Sequence, residues 1–316
     1  MQTHCEICGN ADNNKQHVAR EMMFGYREAF EYLECSACGC LQNVAVPADL
    51  GRYYGDGYYS VKTRPRKTSR VYEAIKSART RAFLGGGGMV GGALLRKFGP
   101  PGLADWVKHA GARQDSAVLE LGCGTGAALL AMRSEGFTNL TGADPFISED
   151  IHYGPGLNIH KSDVFGLKGR FDFIVLEHAF EHIPSQRATL DAMARLLAPN
   201  GTIVISIPVL GQAWQQYGVN WFQVDAPRHL FIHSEQSFRL LAKNLKVSDV
   251  VYDSGAAQFW ASEQYVRDIP LMDERSYRVD PAKSMFTAEA IADFARQAAE
   301  LNRQRRGDQA TFYLRA

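Results

Sequence analysis

From about residue 100 onward, short apolar runs alternate with longer mixed segments, the rhythm of strands linked by helices. The runs that predict strands are 117–121, 140–143, 157–160, 171–176, 201–207, 247–252 and 309–314. Seven such runs predict an α/β domain with a doubly wound sheet. Residues 70–109 read instead as mainly helical, broken by Gly85-Gly86-Gly87-Gly88, by Gly91-Gly92 and by Gly99-Pro100-Pro101-Gly102. The stretch 257–307 is longer than an ordinary connection and predicts a helical lid or an oligomer contact. The pattern thus divides the chain into residues 1–60, a basic helical linker at 61–100 and an α/β domain at 101–316.

The first strand of that domain runs straight into glycines: Val118 to Gly126 read V-L-E-L-G-C-G-T-G. At the carboxyl end of a parallel strand, Gly122, Gly124 and Gly126 let the backbone approach a ligand that side chains would block. Asp144 ends the second strand, placed to receive ribose hydroxyls. A dinucleotide loop would read G-x-G-x-x-G, whereas this one is G-x-G-x-G preceded by Glu120.

Here the sequence resembles the class I S-adenosylmethionine (SAM) methyltransferases, whose first motif is an acidic residue, an apolar one and G-x-G-x-G. The resemblance implies a seven-stranded Rossmann-like sheet with SAM held by Glu120, Gly122, Cys123, Gly124, Gly126 and Asp144. It also implies an antiparallel last pair of strands, Asp163 on the adenine amino group and Phe146 on the adenine face. For Asp163 the alternative is an N-cap of the following segment; Cys123 also reads as a small packing residue.

Residues 171–184 read F-D-F-I-V-L-E-H-A-F-E-H-I-P and resemble the fourth motif of the same family, which brings Glu177, His178, Glu181 and His182 near the cofactor. Four-residue spacing predicts His178 and His182 on one helical face, a metal-like arrangement. Metal is discounted there, because Ala179 stands where a zinc protease motif carries glutamate. Further on, Asp225-Ala226-Pro227-Arg228-His229-Leu230 resembles a D-x-P-R-H-L element of a subgroup that includes enzymes of surface-polysaccharide and sugar biosynthesis. In that setting His229 is the favoured base, with His178 and His182 as alternatives. Arg228 reads as an anion clamp, with Trp221 and Asp225 beside it in the acceptor pocket. A structural histidine at 229 stays open.

Four of the six cysteines form two C-x-x-C pairs, Cys5 with Cys8 and Cys35 with Cys38, separated by 26 residues and each followed by glycine. Zinc takes four thiolates tetrahedrally, and the short spacer presents both sulfurs of a pair to one ion. A closed set of four implies a structural ion; redox dithiols are the competing reading. Cys40 is a bystander or a substitute ligand. After this zinc ribbon comes an aromatic, glycine-rich stretch, in which Tyr59 is a candidate to cover a sulfonium by cation–π attraction, against tyrosines that pack two domains together.

Composition adds little except in the distribution of charge. With 46% hydrophobic and 22% charged residues the chain is globular, and no signal pattern or apolar span is evident, so the expected compartment is the cytoplasm. The net +1 hides 12 basic and 2 acidic residues in 61–113. Such a segment suits a phosphate-bearing substrate, RNA or an anionic membrane surface touched peripherally; a solvated linker is the bland alternative. The expectation is methyl transfer from SAM to a small molecule, a sugar or its nucleotide- or lipid-linked form. An RNA-base methyltransferase and a non-catalytic SAM-binding zinc scaffold are the alternatives.

Overall fold

The computed structural model describes residues 3–55 and 69–316. The N-terminal cysteines frame strands β1 (Lys15–Arg20), β2 (Ala29–Glu34) and β3 (Leu41–Asn43). Helices α1 (Arg70–Phe83), α2 (Met89–Phe98) and α3 (Asp105–His109) follow. The main body is then β4 (Ala117–Leu121), α4 (Ala127–Ser134), β5 (Asn139–Ala143), β6 (Ile151–His152), β7 (Leu157–His160), β8 (Phe171–Glu177), α5 (Gln186–Leu196) and β9 (Leu197–Pro208). It closes with α6 (Gln212–Tyr217), β10 (Phe231–Ile232), α7 (Glu235–Leu241), β11 (Lys246–Tyr252), α8 (Ala257–Val266), α9 (Ala288–Arg303) and β12 (Gln309–Arg315).

Eight strands form one sheet in the order β11-β12-β9-β8-β4-β5-β7-β6. The seven predicted strands are all present, and the eighth, β6, is a two-residue edge antiparallel to β7. β12 runs against both β9 and β11, as the last pair was expected to. The centre is parallel, and its strands are nearly continuous apolar runs because helices cover both faces. Leu190, Met193 and Leu196 of α5 pack on Ile174, Leu176, Ile203 and Ile205, each side chain contributing about 1.5–3 kcal/mol by burial. This packing fixes the carboxyl ends of β4, β5 and β8, where ligands bind in open α/β sheets.

The second sheet has the order β1-β2-β3-β10. Its fourth strand comes from residues 231–232, whose register sets Phe231 opposite Gln42 and Ile232 opposite Leu41. Cys5, Ile7, Cys35, Cys38 and Cys40 share one buried core with Leu230, Phe231, Phe238 and the strands of the large sheet. Tyr32 Oη donates to the His229 carbonyl at 3.0 Å, and Ser234 Oγ donates to the Cys38 carbonyl at 2.6 Å. The cysteine-bearing sheet is therefore clamped onto the segment that carries His229.

Part of the basic segment has intramolecular partners. Lys76 and Arg79 of α1 pair with the buried Glu135 at 2.9 and 3.3 Å, and Thr80 donates to the same carboxylate. Lys62, Arg64, Arg66, Lys67 and Tyr59 lie outside the described residues. Among the described residues no helix is long and apolar enough to cross a membrane.

Candidate functional site

The loop after β4 is built from left-handed glycines: Gly122, Gly124 and Gly126 have φ of +73°, +54° and +81°. Gly126 caps α4, and a Cβ on Gly122 would stand 2.6 Å from Ala179 Cβ, so the glycine loop lies directly against the segment after β8. Asp144 braces the loop. Its Oδ2 accepts the Gly124 N–H at 2.8 Å and its Oδ1 accepts the Phe146 N–H at 2.8 Å, with a lone pair left on each oxygen. Phe146 is 92% exposed, an apolar residue at the mouth of the loop. Asp163 caps the turn after β7, its Oδ1 accepting from the N–H groups of Phe165 and Gly166. Cys123 is buried and directs its thiol toward the Gly124 carbonyl.

Glu120 projects from β4 toward Glu177, and both line a cavity of about 170 Å³ with Leu103, Trp106, Ala128 and Met132. Its Oε2 is enclosed and has no hydrogen-bond partner. Burial, then the charges of Glu177 and Asp144, raise its pKa from 4.5 to about 8. An orphaned acid between two other carboxylates is the complement of a positively charged ligand.

A second polar cluster follows β8. His178 takes φ +50°, and residues Phe180–His182 form a 3-10 turn, so α5 does not begin until Gln186. The expectation of His178 and His182 on one helical face is thereby corrected, and Pro184 explains it by disfavouring helix in the residue before it. Glu181 is 1% exposed, and neither carboxylate oxygen has a hydrogen-bond partner. The nearest nitrogens are His178 Nδ1 at 3.5 Å and His229 Nε2 at 3.8 Å. Burial opposes the charge on Glu181, but His178, His182 and His229 around it bring its pKa down to about 2. His182 Nδ1 lies 2.8 Å from the Arg228 carbonyl and 3.1 Å from Tyr54 Oη. His229 Nδ1 lies 2.7 Å from the Gln223 carbonyl, and the two rings are 4.8 Å apart.

The histidines differ in access. His178 presents 40% of its side chain to solvent; burial works against its charge, yet Glu181 outweighs this and raises its pKa above 6.5. His229 is 5% exposed and burial pushes it down to about 4. His233, between Ser237 and Gln186, is wholly buried and structural.

Two acceptor-pocket expectations change. Arg228 is fully buried and all five of its N–H groups have partners: Nε and Nη2 on Asp225 at 2.9 and 2.5 Å, Nη1 and Nη2 on Glu21 at 3.2 and 3.1 Å, and Nη1 on the Tyr53 carbonyl at 2.8 Å. It has no donor left for an anion and instead ties Asp225 to the N-terminal sheet. Trp221 is likewise wholly buried, its indole N–H donating to Asp308 at 2.9 Å. Tyr54 is a side chain of the cluster that the sequence reading did not single out, and Glu181, expected only near the cofactor, stands at the centre of the histidines. Glu181 sits inside the recognised E-H-I-P segment and Tyr54 inside the aromatic run, so both were within reach.

At the far end, the four cysteine sulfurs converge: Cys5 and Cys38 are 3.6 Å apart, Cys8 and Cys35 are 3.5 Å apart, and all four lie within 4.8 Å of one another. Gly9 and Gly39, at φ +79° and +70°, close each knuckle by donating to the carbonyls of Cys5 and Cys35. Cys40 stands outside the set.

Residues 95–245 match the protein family described as "Methyltransferase domain". This stretch, just under half of the chain, is similar to methyltransferase domains. Its eight-stranded sheet is the Rossmann-like methyltransferase fold, with the cysteine cluster added at the N-terminus. Two curated proteins named "Ubiquinone biosynthesis O-methyltransferase" are similar to it. That of Erwinia tasmaniensis is 31% identical over 116 residues, 32% of this chain and 46% of the relative. That of Dechloromonas aromatica is 30% identical over 113 residues, 32% of this chain and 48% of the relative. The chain thus spans about half the length of the curated relatives it matches. Among solved structures, a putative sarcosine dimethylglycine methyltransferase from Galdieria sulphuraria is 16% identical, with a TM-score of 0.43 over 72% of this chain and 87% of that one.

Proposed function

We propose that the chain transfers the methyl group of SAM to a hydroxyl of a small-molecule acceptor, most simply a sugar or its nucleotide- or lipid-linked form. The observation that carries this reading is the orphaned Glu120 carboxylate beside a left-handed glycine cradle that abuts a histidine cluster. The residues fit the cofactor: Glu120 and Glu177 complement its positive charges, Gly122 to Gly126 leave room for it, Asp144 has lone pairs for ribose, and Asp163 and Phe146 flank the adenine side. Bound SAM supplies a methyl group activated on a sulfonium. The oxygen acceptor is supported by the O-methyltransferase names of the curated relatives; the sugar is supported by the D-x-P-R-H-L resemblance.

His178 is the proton acceptor this reading favours, since its ring is the accessible one. His229 is too enclosed for that role. The four cysteines suit a structural zinc ion, because Zn–S bonds of about 2.3 Å place tetrahedral sulfurs about 3.8 Å apart, near the spacing of the two close pairs. RNA is disfavoured by the pairing of Lys76 and Arg79 with Glu135.

Calorimetric titration with S-adenosylhomocysteine tests the cofactor without knowing the acceptor: micromolar binding is expected, and its absence in folded protein refutes the reading. Once an acceptor is found, His178→Ala is expected to lower kcat by about 10²–10⁴-fold with cofactor affinity retained.

A further inference from the structure

Buried carboxylates without a hydrogen bond are rare, and neither oxygen of Glu181 has one: Oε1 faces His178 Nδ1 at 3.5 Å and His229 Nε2 at 3.8 Å, longer than ordinary hydrogen bonds. The two inner histidines are already oriented. His182 holds Nδ1 against the Arg228 carbonyl and His229 holds Nδ1 against the Gln223 carbonyl, so each neutral ring keeps its proton on Nδ1 and its lone pair on Nε2. A backbone carbonyl on one ring nitrogen is the arrangement that fixes a histidine as a metal ligand through the other. Ligand atoms from Glu181, His182 and His229 lie within 4.8 Å of one another. Bonds of roughly 2.1 Å hold neighbouring ligands about 3–4 Å apart, which the 3.8 Å from Glu181 to His229 already meets.

We infer that Glu181, His182 and His229 form a second metal site, distinct from the four cysteines, for a first-row divalent cation. Two imidazoles and one carboxylate suit manganese, iron, cobalt or zinc, and three protein ligands leave coordination positions open. Glu181 and His229 close the inner side. His182 is half-buried and His178 more exposed, so the open side faces the end of β8, where Ala179 touches the glycine loop. A hydroxyl oxygen of the acceptor is the ligand chemistry that fits there. This last step rests on the methyltransferase reading; the cation site does not. The lack of a glutamate at position 179 excludes only the zinc protease arrangement, since here the carboxylate comes from Glu181 and the second histidine from a distant loop.

The experiment uses the full chain, dialysed against a weak chelator so that the thiolate site keeps its zinc, and titrated with Mn2+ by electron paramagnetic resonance and calorimetry. One Mn2+ per chain is expected, with pulsed spectra showing coupling to imidazole nitrogen. Glu181→Gln and His182→Ala are each expected to weaken Mn2+ binding at least tenfold while S-adenosylhomocysteine affinity stays within twofold. Absence of Mn2+ binding, or binding without nitrogen coupling, overturns the site. Equal affinity in the two variants does the same. The wild-type nitrogen coupling decides the matter even if a variant fails to fold. Mn2+ binding without S-adenosylhomocysteine binding would leave the cation site standing and remove the methyltransferase reading; the reverse pattern would remove only the cation.

Discussion

Glu120→Gln separates a cofactor-binding acid from an ordinary buried one. In the protein without ligand, Glu120 titrates near 8 rather than 4.5, because burial and the charges of Glu177 and Asp144 disfavour its ionised form. A folded pKa raised above the unfolded one gives a contribution fully present below about 4.5 and lost as pH rises through about 8. The span of about 3.5 in pKa corresponds to on the order of 5 kcal/mol at 1.36 kcal/mol per unit, an upper bound that screening by solvent at the cavity mouth reduces to roughly 2–3 kcal/mol. Glutamine keeps the shape and cannot ionise. The unfolding free energy of the wild type should therefore drop relative to Glu120→Gln between pH 5 and pH 9, by a few kcal/mol in the difference curve from denaturant titrations. On the proposed contact, SAM should reverse the preference, because a cation beside the carboxylate favours its charged form. Wild-type SAM affinity should rise across pH 7 to 9, whereas that of Glu120→Gln should be weaker and flat. Parallel stability curves for the two proteins would refute the argument, since Glu120 would then be solvated or paired rather than orphaned.

Further outcomes follow from the packing. Gly122→Ala should lose cofactor affinity and about 1–3 kcal/mol of stability in chemical denaturation, because the new Cβ meets Ala179 at 2.6 Å on a left-handed backbone. Arg228→Ala should cost about 3–5 kcal/mol, as Glu21 and Asp225 are left as buried charges; Arg228→Lys should rescue little, lacking the fork that serves both. Stripping metal from the cysteines with a strong chelator should lower the thermal midpoint and raise hydrogen exchange in β1 to β3 and at Phe231 and Ile232. Unchanged exchange at those two residues would count against the shared sheet.

The large sheet was legible because each of its seven main strands is an apolar run bounded by turn residues. β6 was not, since two residues carry no alternation, and neither was β10, whose partner Leu41 lies almost two hundred residues away. The glycine loop could be read in its own sequence, because positive φ selects glycine at each position. The acceptor side could not. Arg228 and Trp221 have the chemistry of pocket residues, and only the three-dimensional neighbourhood reveals that Glu21, Asp225 and Asp308 already engage them. The i, i+4 histidine spacing speaks for a helix wherever it occurs, whereas Pro184 disfavours helix at Ile183 and the chain takes a 3-10 turn at 180–182 instead. Among the histidines, the order of candidates depended on burial, which single-residue chemistry does not encode.

The two-residue strand β10 also sets a timetable. During synthesis, residues 15–43 leave the ribosome well before Phe231 and Ile232 exist to complete their sheet, an interval of roughly 10–40 s at ordinary elongation rates. Throughout it, the edge of β3 and the apolar face around Tyr32 and Leu41 lack their cover. An ion captured early by Cys5, Cys8, Cys35 and Cys38 would hold the hairpin in register while it waits. Metal scarcity would then appear first as a loss of yield in newly made protein, with molecules already folded continuing to work.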